Sequence, residues 1–472
     1  MRHKANGVIR DFGGRIVAPG DRGYDEARRV WNGAIDRKPA LIAQCMDTAD
    51  VAAAVRYARD RDLLVSVRGG AHSVAGHAVN DGGLVIDLSL MKGVRVDPQR
   101  RLAWIEPGVL WGEVDGETQR FGLATTGGIV SHTGVAGLTL GGGLGWLMRK
   151  LGTTADNLIA AHVVAADSRR MRASANDDAE LLFGLRGGGG NFGVVTSFEL
   201  ALHEIGTTLL AGPIVWAMED APEVMRFYRD FAREAPDELT TIVQYRTLPP
   251  FPVFPPQFHG RKVLQIAVVW AGRISDGERA LEPLRACGKP LFDLVSPRPY
   301  LAHQSANDKA LLHGWHYYWR STEFEELEDE AIDVLTEYSL AMRSPRSFTV
   351  IFHLGGAIAR IDENDAAYSH RSARYNININ AVWLPDEPLA DVETAWAREM
   401  FDRLNAQRHA VYVNFLMDEG QARVRQAYGA AKYERLVALK ARLDPDNVFR
   451  MNQNIAPPAR PDGGNAFRTR PD

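Results

Sequence analysis

The chain has 472 residues, 45% of them hydrophobic and 24% charged, with a formal net charge of −4. That length can bury large cores and predicts at least two domains, while the charge leaves no basic footprint for nucleic acid and there is no run of about 18 apolar residues to cross a membrane. Cys45 and Cys287 are the only cysteines and Met1 to Gly7 is followed by no apolar leader, which excludes a disulfide framework and predicts a cytoplasmic protein.

Asp47 to Asp60 carries apolar residues at Val51, Ala54, Val55 and Ala58, a helical spacing opened by an Asp or Thr cap. The apolar run Leu63 to Val67 reads as a strand, followed by strands at Leu84 to Leu88, Val94 to Val96 and Leu102 to Ile105, with Gly82-Gly83 and Asp97-Pro98 as turns. Trp111 to Phe121 reads as a further helix. Helices and strands mix here without a regular parallel repeat, which predicts an α+β domain rather than a doubly wound sheet. Arg169, Arg170 and Arg172 follow Asp167-Ser168 and are expected to form a solvated turn.

From about Gly206 the texture changes. Leu209 to Trp216, Thr240 to Tyr245, Val263 to Trp270, Phe348 to Leu354, Tyr375 to Trp383 and Ala410 to Phe415 are predicted strands. They are separated by helices such as Pro222 to Glu234 and Glu325 to Met342, a large sheet backed by helices. The proline-dense stretch Leu248 to Pro256 cannot be a central strand and is expected as a surface loop or a rim of an entrance. The tail from Pro457 to Asp472, rich in Pro, Gly and charge, is expected to be disordered.

Two glycine-rich loops dominate the first half. Arg68-Gly69-Gly70-Ala71-His72-Ser73-Val74-Ala75-Gly76-His77 follows the first apolar strand, placing one imidazole in a turn whose bare backbone can surround an anion, with Arg68 adding charge and Ser73 a hydroxyl. Gly127 to Trp146 holds eight glycines with hydroxyls at Ser131, Thr133 and Thr139. So much glycine is costly in conformational entropy and marks a place where something must come close. The run lacks the form of a nicotinamide fingerprint.

Together the loops resemble the flavin-binding domain of the vanillyl-alcohol-oxidase superfamily, and within it the berberine-bridge-enzyme-like FAD-linked oxidases. The likeness includes Gly83 to Ser89, Glu106-Pro107-Gly108, Phe121 to Ala124, Gly152 through Asn157 and Arg186 to Thr196. It returns in Tyr412-Val413-Asn414, in Tyr433 through Arg450 and in Asn452-Gln453-Asn454-Ile455. It implies a two-domain PCMH-type FAD-binding fold: residues 1–205 as the FAD domain, 206–409 as an inserted substrate domain of antiparallel sheet backed by helices, 410–458 returning to the FAD domain, and 459–472 as the tail. It also implies FAD attached through His72 to the flavin 8α-methyl. The position at which many relatives carry a second, cysteinyl tether is Val130, so one linkage is expected, with tight non-covalent FAD as the alternative.

The implied cofactor contacts are Arg68, Gly69, Gly70, Ala71, His72, Ser73, Gly76 and His77 in the first loop, and Pro107 and Gly108 after it. Gly128, Ser131, His132, Thr133, Gly134, Gly137, Leu138, Gly142 and Gly143 follow in the second loop, then Gly193, Val194 and Val195, with Tyr412 and Asn414 at the end. Tyr412 is the expected base, with Asn414 on the same strand face; a phenol needs its pKa lowered to act near neutrality. Tyr375 and Asn378 are further catalytic candidates. Alternation in Tyr375-Asn376-Ile377-Asn378-Ile379-Asn380 puts three amides on one face, to line a polar cavity or face water. No carboxylate stands in that run. His370-Arg371 is expected either to bind a substrate oxygen or to lie in an exposed loop. A metal site is not expected, since His72 and His77 have no accompanying ligand pattern. The expected activity is hydride removal from an alcohol or amine-type carbon of a small hydroxylated molecule, a secondary metabolite or a sugar, with O2 as acceptor. A dehydrogenase passing electrons to a carrier and a non-catalytic flavin-binding relative are the alternatives.

Overall fold

A computed structural model describes residues 9–405 and 410–459. The first seven residues lie outside the described residues, as does the tail expected to be disordered, apart from its first positions up to Ala459. The helix Thr48–Arg59 starts where expected because the Asp47 carboxylate accepts from the N–H groups of Ala49 and Asp50, at 2.7 and 2.9 Å. Its apolar stripe packs on a four-stranded sheet ordered Arg15–Val17, Leu41–Gln44, Leu84–Asp87, Val65–Arg68, whose last three strands are parallel. A second sheet of five strands, Val94–Asp97, Leu102–Ile105, Val194–Ala201, Leu158–Val164 and Arg170–Ser174, is antiparallel throughout. Ser168 turns with a φ of +70° and Arg169 pairs with Asp167 in that turn, but Arg170 and Arg172, expected in the same turn, are exposed residues of the strand Arg170–Ser174, because the turn is tight enough for pairing with Leu158–Val164 to begin at Arg170.

The third sheet has eight strands between Thr208 and Trp383. The helices Ala221–Arg233, Asp329–Ala341 and Ala390–Asn405 cover one face, burying Tyr375, Ile377 and Ile379 against Trp396 and Met400. The opposite face carries Val350 and Phe352, and by alternation Asn376, Asn378 and Asn380. All nine residues of Tyr375–Trp383 are buried, so the three amides face no bulk water. One edge strand, His316–Phe324, which pairs only with Tyr375–Trp383, is not legible in the sequence; its run, with Arg320, Ser321 and Glu323, lacks apolar alternation. The proline-dense stretch packs Leu248 and Phe254 on Val215 and Val263 at the far side of this sheet.

Ala410 to Phe415 is not a strand. Tyr412 is extended, and Val413–Phe415 closes into a 3-10 turn through Phe415 N–H to Tyr412 O at 3.0 Å. The apolar alternation that suggests a strand is satisfied by burial of Val411, Tyr412 and Val413 without a ladder. Beyond it, Tyr433, Leu436 and Leu439 pack in one core with Leu158, Leu181 and Phe192. The chain is pinned there by an ion pair with no exposure: Lys440 Nζ lies 2.6 Å from Asp444 Oδ2 and also donates to the carbonyls of Asn191 and Phe449. Asp444 in turn accepts from Val448 N–H and Phe449 N–H.

Removing one member of such a pair leaves an uncompensated buried charge. Asp444→Ala is therefore expected to lower stability by about 3–5 kcal/mol, seen as a lower urea midpoint at unchanged slope.

Candidate functional site

The two glycine loops meet backbone to backbone. A Cβ on Gly70 would lie 2.4 Å from Gly134 Cα, and one on Gly134 only 2.5 Å from Gly70 N. No other residue allows this approach, which sets both loops on one cavity of about 330 Å³. The loops supply one wall and the amide-bearing face of the large sheet the other. Trp31, Leu311, Trp319, Phe348, Val350, Phe352 and Phe415 give that second side an aromatic and aliphatic character, with Asn378 and Asn380 as its amides.

His72 is partly exposed at the cavity wall. Trp31 stacks on its ring at 4.8 Å, and His72 Nε2 shares a hydrogen bond of 2.7 Å with His132 Nδ1. Burial first, then the neighbouring His132 and His313, hold its pKa well below the ordinary imidazole value, so it is neutral at pH 7. The ring nitrogens of His72, His132 and His313 lie within 4.8 Å of one another, a spacing that could hold a metal ion. The closest pair, however, stands at hydrogen-bond distance and is read as a hydrogen bond. His77, also at the wall, is pushed down to about 4, mainly by burial.

Across the cavity, Tyr412 is 4% exposed. Its oxygen accepts from Gly143 N–H at 2.7 Å and from Asn414 Nδ2 at 2.8 Å. The 3-10 turn, rather than strand alternation, brings Asn414 to it. These donors favour the phenolate, but burial outweighs them and pushes Tyr412 up to about 12. The lowered pKa expected for this phenol is thus not what its surroundings produce.

Of the other expected positions, Gly69, Gly70, Ala71, Ser73, Gly128, Thr133, Gly134, Gly137, Leu138, Gly193, Val194, Val195, Asn378 and Asn414 line the cavity. Several do not. Arg68 turns away, its guanidinium donating to Ala27 O and lying 4.0 Å from Asp87, because strand pairing puts that carboxylate beside it. Gly76 is packed on Ile35, and Gly108 lies against Leu88 O, with Pro107 before it. Ser131 bonds Asp308, His132 reaches the site only through His72, and Gly142 and Gly143 contact Tyr368, Tyr412 and Thr154. Tyr375 is on the wrong face of its strand for catalysis, stacked on His353 in the helix-backed core. His370 bonds Gln426 O, and Arg371 is a buried partner of Asp156. Trp31 and Trp319, which also line the cavity, carry no local signal, while Phe348, Phe352 and Phe415 are legible in the sequence only as strand residues, since which face meets the cavity depends on the sheet's neighbours. Gly189, Gly190, Asn452 and Gln453 also line the cavity; they fall within Arg186 to Thr196 and Asn452 to Ile455, segments that carry the family likeness.

A half-glycine, half-aromatic cavity with a neutral, wall-mounted imidazole defines a cofactor-binding site of the flavoprotein kind. Residues 39–174 match the FAD binding domain family and residues 411–456 the family described as berberine and berberine like. (R)-6-hydroxynicotine oxidase of Paenarthrobacter nicotinovorans is 30% identical over 94% of this chain and 97% of its own. Glucooligosaccharide oxidase of Sarocladium strictum is 27% identical over 90% of this chain and 89% of its own. The crystal structure of 6-hydroxy-D-nicotine oxidase from Arthrobacter nicotinovorans superposes with a TM-score of 0.86 at 28% identity, covering 95% of this chain and 98% of that one. The chain belongs to the berberine-bridge-enzyme-like FAD-linked oxidases, with their PCMH-type α+β fold. Among the described residues, no helix is long and apolar enough to cross a membrane.

The cavity fits the cofactor. Gly137, inside the helix Val135–Leu140, and Gly190 both line it, and a Cβ on either would meet no protein atom within 4 Å. A glycine inside a helix costs about 1 kcal/mol relative to alanine, and nothing in the protein requires this one. His77 Nε2, Asn378 Oδ1 and Asn452 Oδ1 are buried polar atoms of the lining without a protein partner, as expected where a ligand supplies one. Gly137→Leu is therefore expected to raise the apoprotein's unfolding midpoint, or at least not lower it, while weakening flavin retention at least about tenfold, or about 1.4 kcal/mol, measured as flavin absorbance per chain after gel filtration.

Proposed function

We propose that this enzyme is an oxidase that removes a hydride from an alcohol or amine-type carbon of a small hydroxylated substrate and passes the electrons to O2, giving hydrogen peroxide, with FAD attached through His72. The observation that carries the reading is the single cavity joining neutral His72 and the glycine loops to Tyr412, Asn378 and the aromatic sheet face. A neutral imidazole is a nucleophile, and its stacking on Trp31 and bond to His132 fix its approach. Glucooligosaccharide oxidase from Acremonium strictum carries a 6-S-cysteinyl, 8α-N1-histidyl FAD. Val130 lines the cavity here, and Cys45 and Cys287 are buried elsewhere, which supports a single tether.

When bound, FAD supplies the two-electron acceptor for the substrate hydride. The protein's own part is orientation and proton handling. Asn378 offers an unpartnered amide oxygen to a substrate hydroxyl, and the aromatic side chains stack on a ring and keep water out. Tyr412 takes the hydroxyl proton; with a pKa of about 12 it is a phenol at rest and accepts a proton only as its own departs. The aromatic walls support a ring-bearing alcohol over a sugar among the hydroxylated substrates.

Acid precipitation of the purified protein is expected to leave yellow colour in the pellet, and His72→Ala to release it to the supernatant. Release from both would remove the covalent tether. A peroxide-coupled assay with 6-hydroxynicotine, a gluco-oligosaccharide and coniferyl alcohol then reads the activity; flavin reduced by substrate without peroxide would overturn the choice of O2. Tyr412→Phe is expected to slow anaerobic flavin reduction by about 10²–10⁴-fold, and an unchanged rate would take Tyr412 out of the mechanism.

A further inference from the structure

Glu323 lies on the strand His316–Phe324, directly opposite Asn376 in register. Its side chain shares a face with Ser321 and with the row of asparagines, and is 4% exposed. Asn376 Nδ2 donates to Glu323 Oε1 at 3.2 Å and to Ser321 Oγ at 3.3 Å, while Glu323 Oε2 has no protein partner. Burial chiefly, with Glu363 adding to it, pushes the carboxyl up to about 8 against the opposing Asn376 hydrogen bond and Arg423.

Behind Tyr412 there is a second, separate cavity of about 10 Å³, lined by Glu323, Tyr368, Tyr412 and Tyr428 among others. That is room for about one water molecule. The hydroxyls of Tyr368 and Tyr428, like Glu323 Oε2, are buried without a protein partner. Three unsatisfied polar atoms around a water-sized void are the surroundings a structural water needs. Tyr412 lines both this void and the large cavity.

A buried phenol that takes one proton per turnover needs an outlet that does not cross the substrate. We propose that Glu323 is the proton acceptor behind Tyr412, exchanging with it through one water held in the small cavity, and so a positioning residue for the oxidation. The proposal rests on Tyr412 acting as the base. In the step, the substrate O–H bond breaks and its electron pair stays on oxygen, closing the carbonyl as the C–H hydride is given up to the cofactor. The proton bonds to the Tyr412 oxygen, the phenol's own proton passes to the water, and a water proton forms the O–H of the Glu323 carboxyl. One proton and one hydride leave the substrate, and each has a named destination. The titratable and charged groups around Glu323 are Tyr368, Tyr412 and Tyr428 across the void, with Glu363 and Arg423 acting on it electrostatically.

Infrared difference spectra of the holoenzyme across pH 8 test this without turnover. A raised carboxyl stays protonated through neutrality and ionises as pH climbs past its pKa, so a protonated-carboxyl band should disappear on passing to higher pH. Glu323→Gln should abolish it and Tyr412→Phe should shift it, while the separate band of Asp115, also raised to about 8, stays in both variants. A missing Glu323 band, or one that Tyr412→Phe leaves in place, overturns the proposal whatever the substrate proves to be. With whichever of the two alcohols, the gluco-oligosaccharide or coniferyl alcohol, reduces the flavin faster, the wild-type rate should rise about tenfold per pH unit up to about pH 8 and then level. Glu323→Gln should be slower and flat, with Glu323→Asp restoring the slope; a Gln variant keeping the wild-type profile overturns the relay. If none of the three compounds reduces wild-type flavin, the proposed function fails, and the infrared bands still decide the role of Glu323.

Discussion

The site depends on one contact, the backbone of Gly70 against the backbone of Gly134. Each loop belongs to a different part of the fold: one leaves the parallel sheet at Arg68, the other lies between the helices Trp111–Thr118 and Val135–Leu140. A single methyl group at either position would force them apart. Held together, they bring His72 within 2.7 Å of His132 and present it to the sheet across the cavity. The neutrality of His72 follows from the same closure, because its largest cause is exclusion from water.

The opposite wall answers a different constraint. A strand buried on both faces ordinarily reads as a continuous apolar run, yet Tyr375–Trp383 sends three amides inward. Those amides are tolerable because they meet one another, Ser321, Glu323 and the cavity: Asn380 Nδ2 bonds Asn378 O, and Asn376 bonds the neighbouring strand. Polar groups thus run along one sheet face from the large cavity toward the small one, while the other face is held by aromatic and aliphatic packing under three helices.

Legibility followed locality. The Asp47 cap, the strand Leu102–Ile105 and the strand Tyr375–Trp383 rest on neighbours in sequence and were readable residue by residue. So were the glycine loops, whose composition is itself the signal. Arg68 was misplaced because its partner, Asp87, reaches it only through parallel pairing of Val65–Arg68 with Leu84–Asp87. Tyr375 shares a run with the asparagines, and only the position of the helices decides which face is the site. The false strand at Ala410 to Phe415 shows that burial alone can imitate alternation: Val411 and Val413 are buried without any ladder.

Glu323 is the clearest case of a residue invisible in sequence. It lies in a segment whose pattern does not announce a strand, 53 positions from the asparagine it bonds. No carboxylate stands in the asparagine run, which favours Tyr412 as the base and offers no acid to pair with it. The sheet order supplies one, since pairing His316–Phe324 with Tyr375–Trp383 puts a carboxylate on the same face as the amides and behind the phenol. Burial is the largest cause that raises Tyr412, Tyr368 and Glu323 alike, and Glu323 adds to the rise of both phenols, so a phenol beside this acid does not readily hold a negative charge while the acid is ionised. Two such groups carry one proton between them more readily than either carries none, and that is the condition for passing a proton inward rather than storing charge.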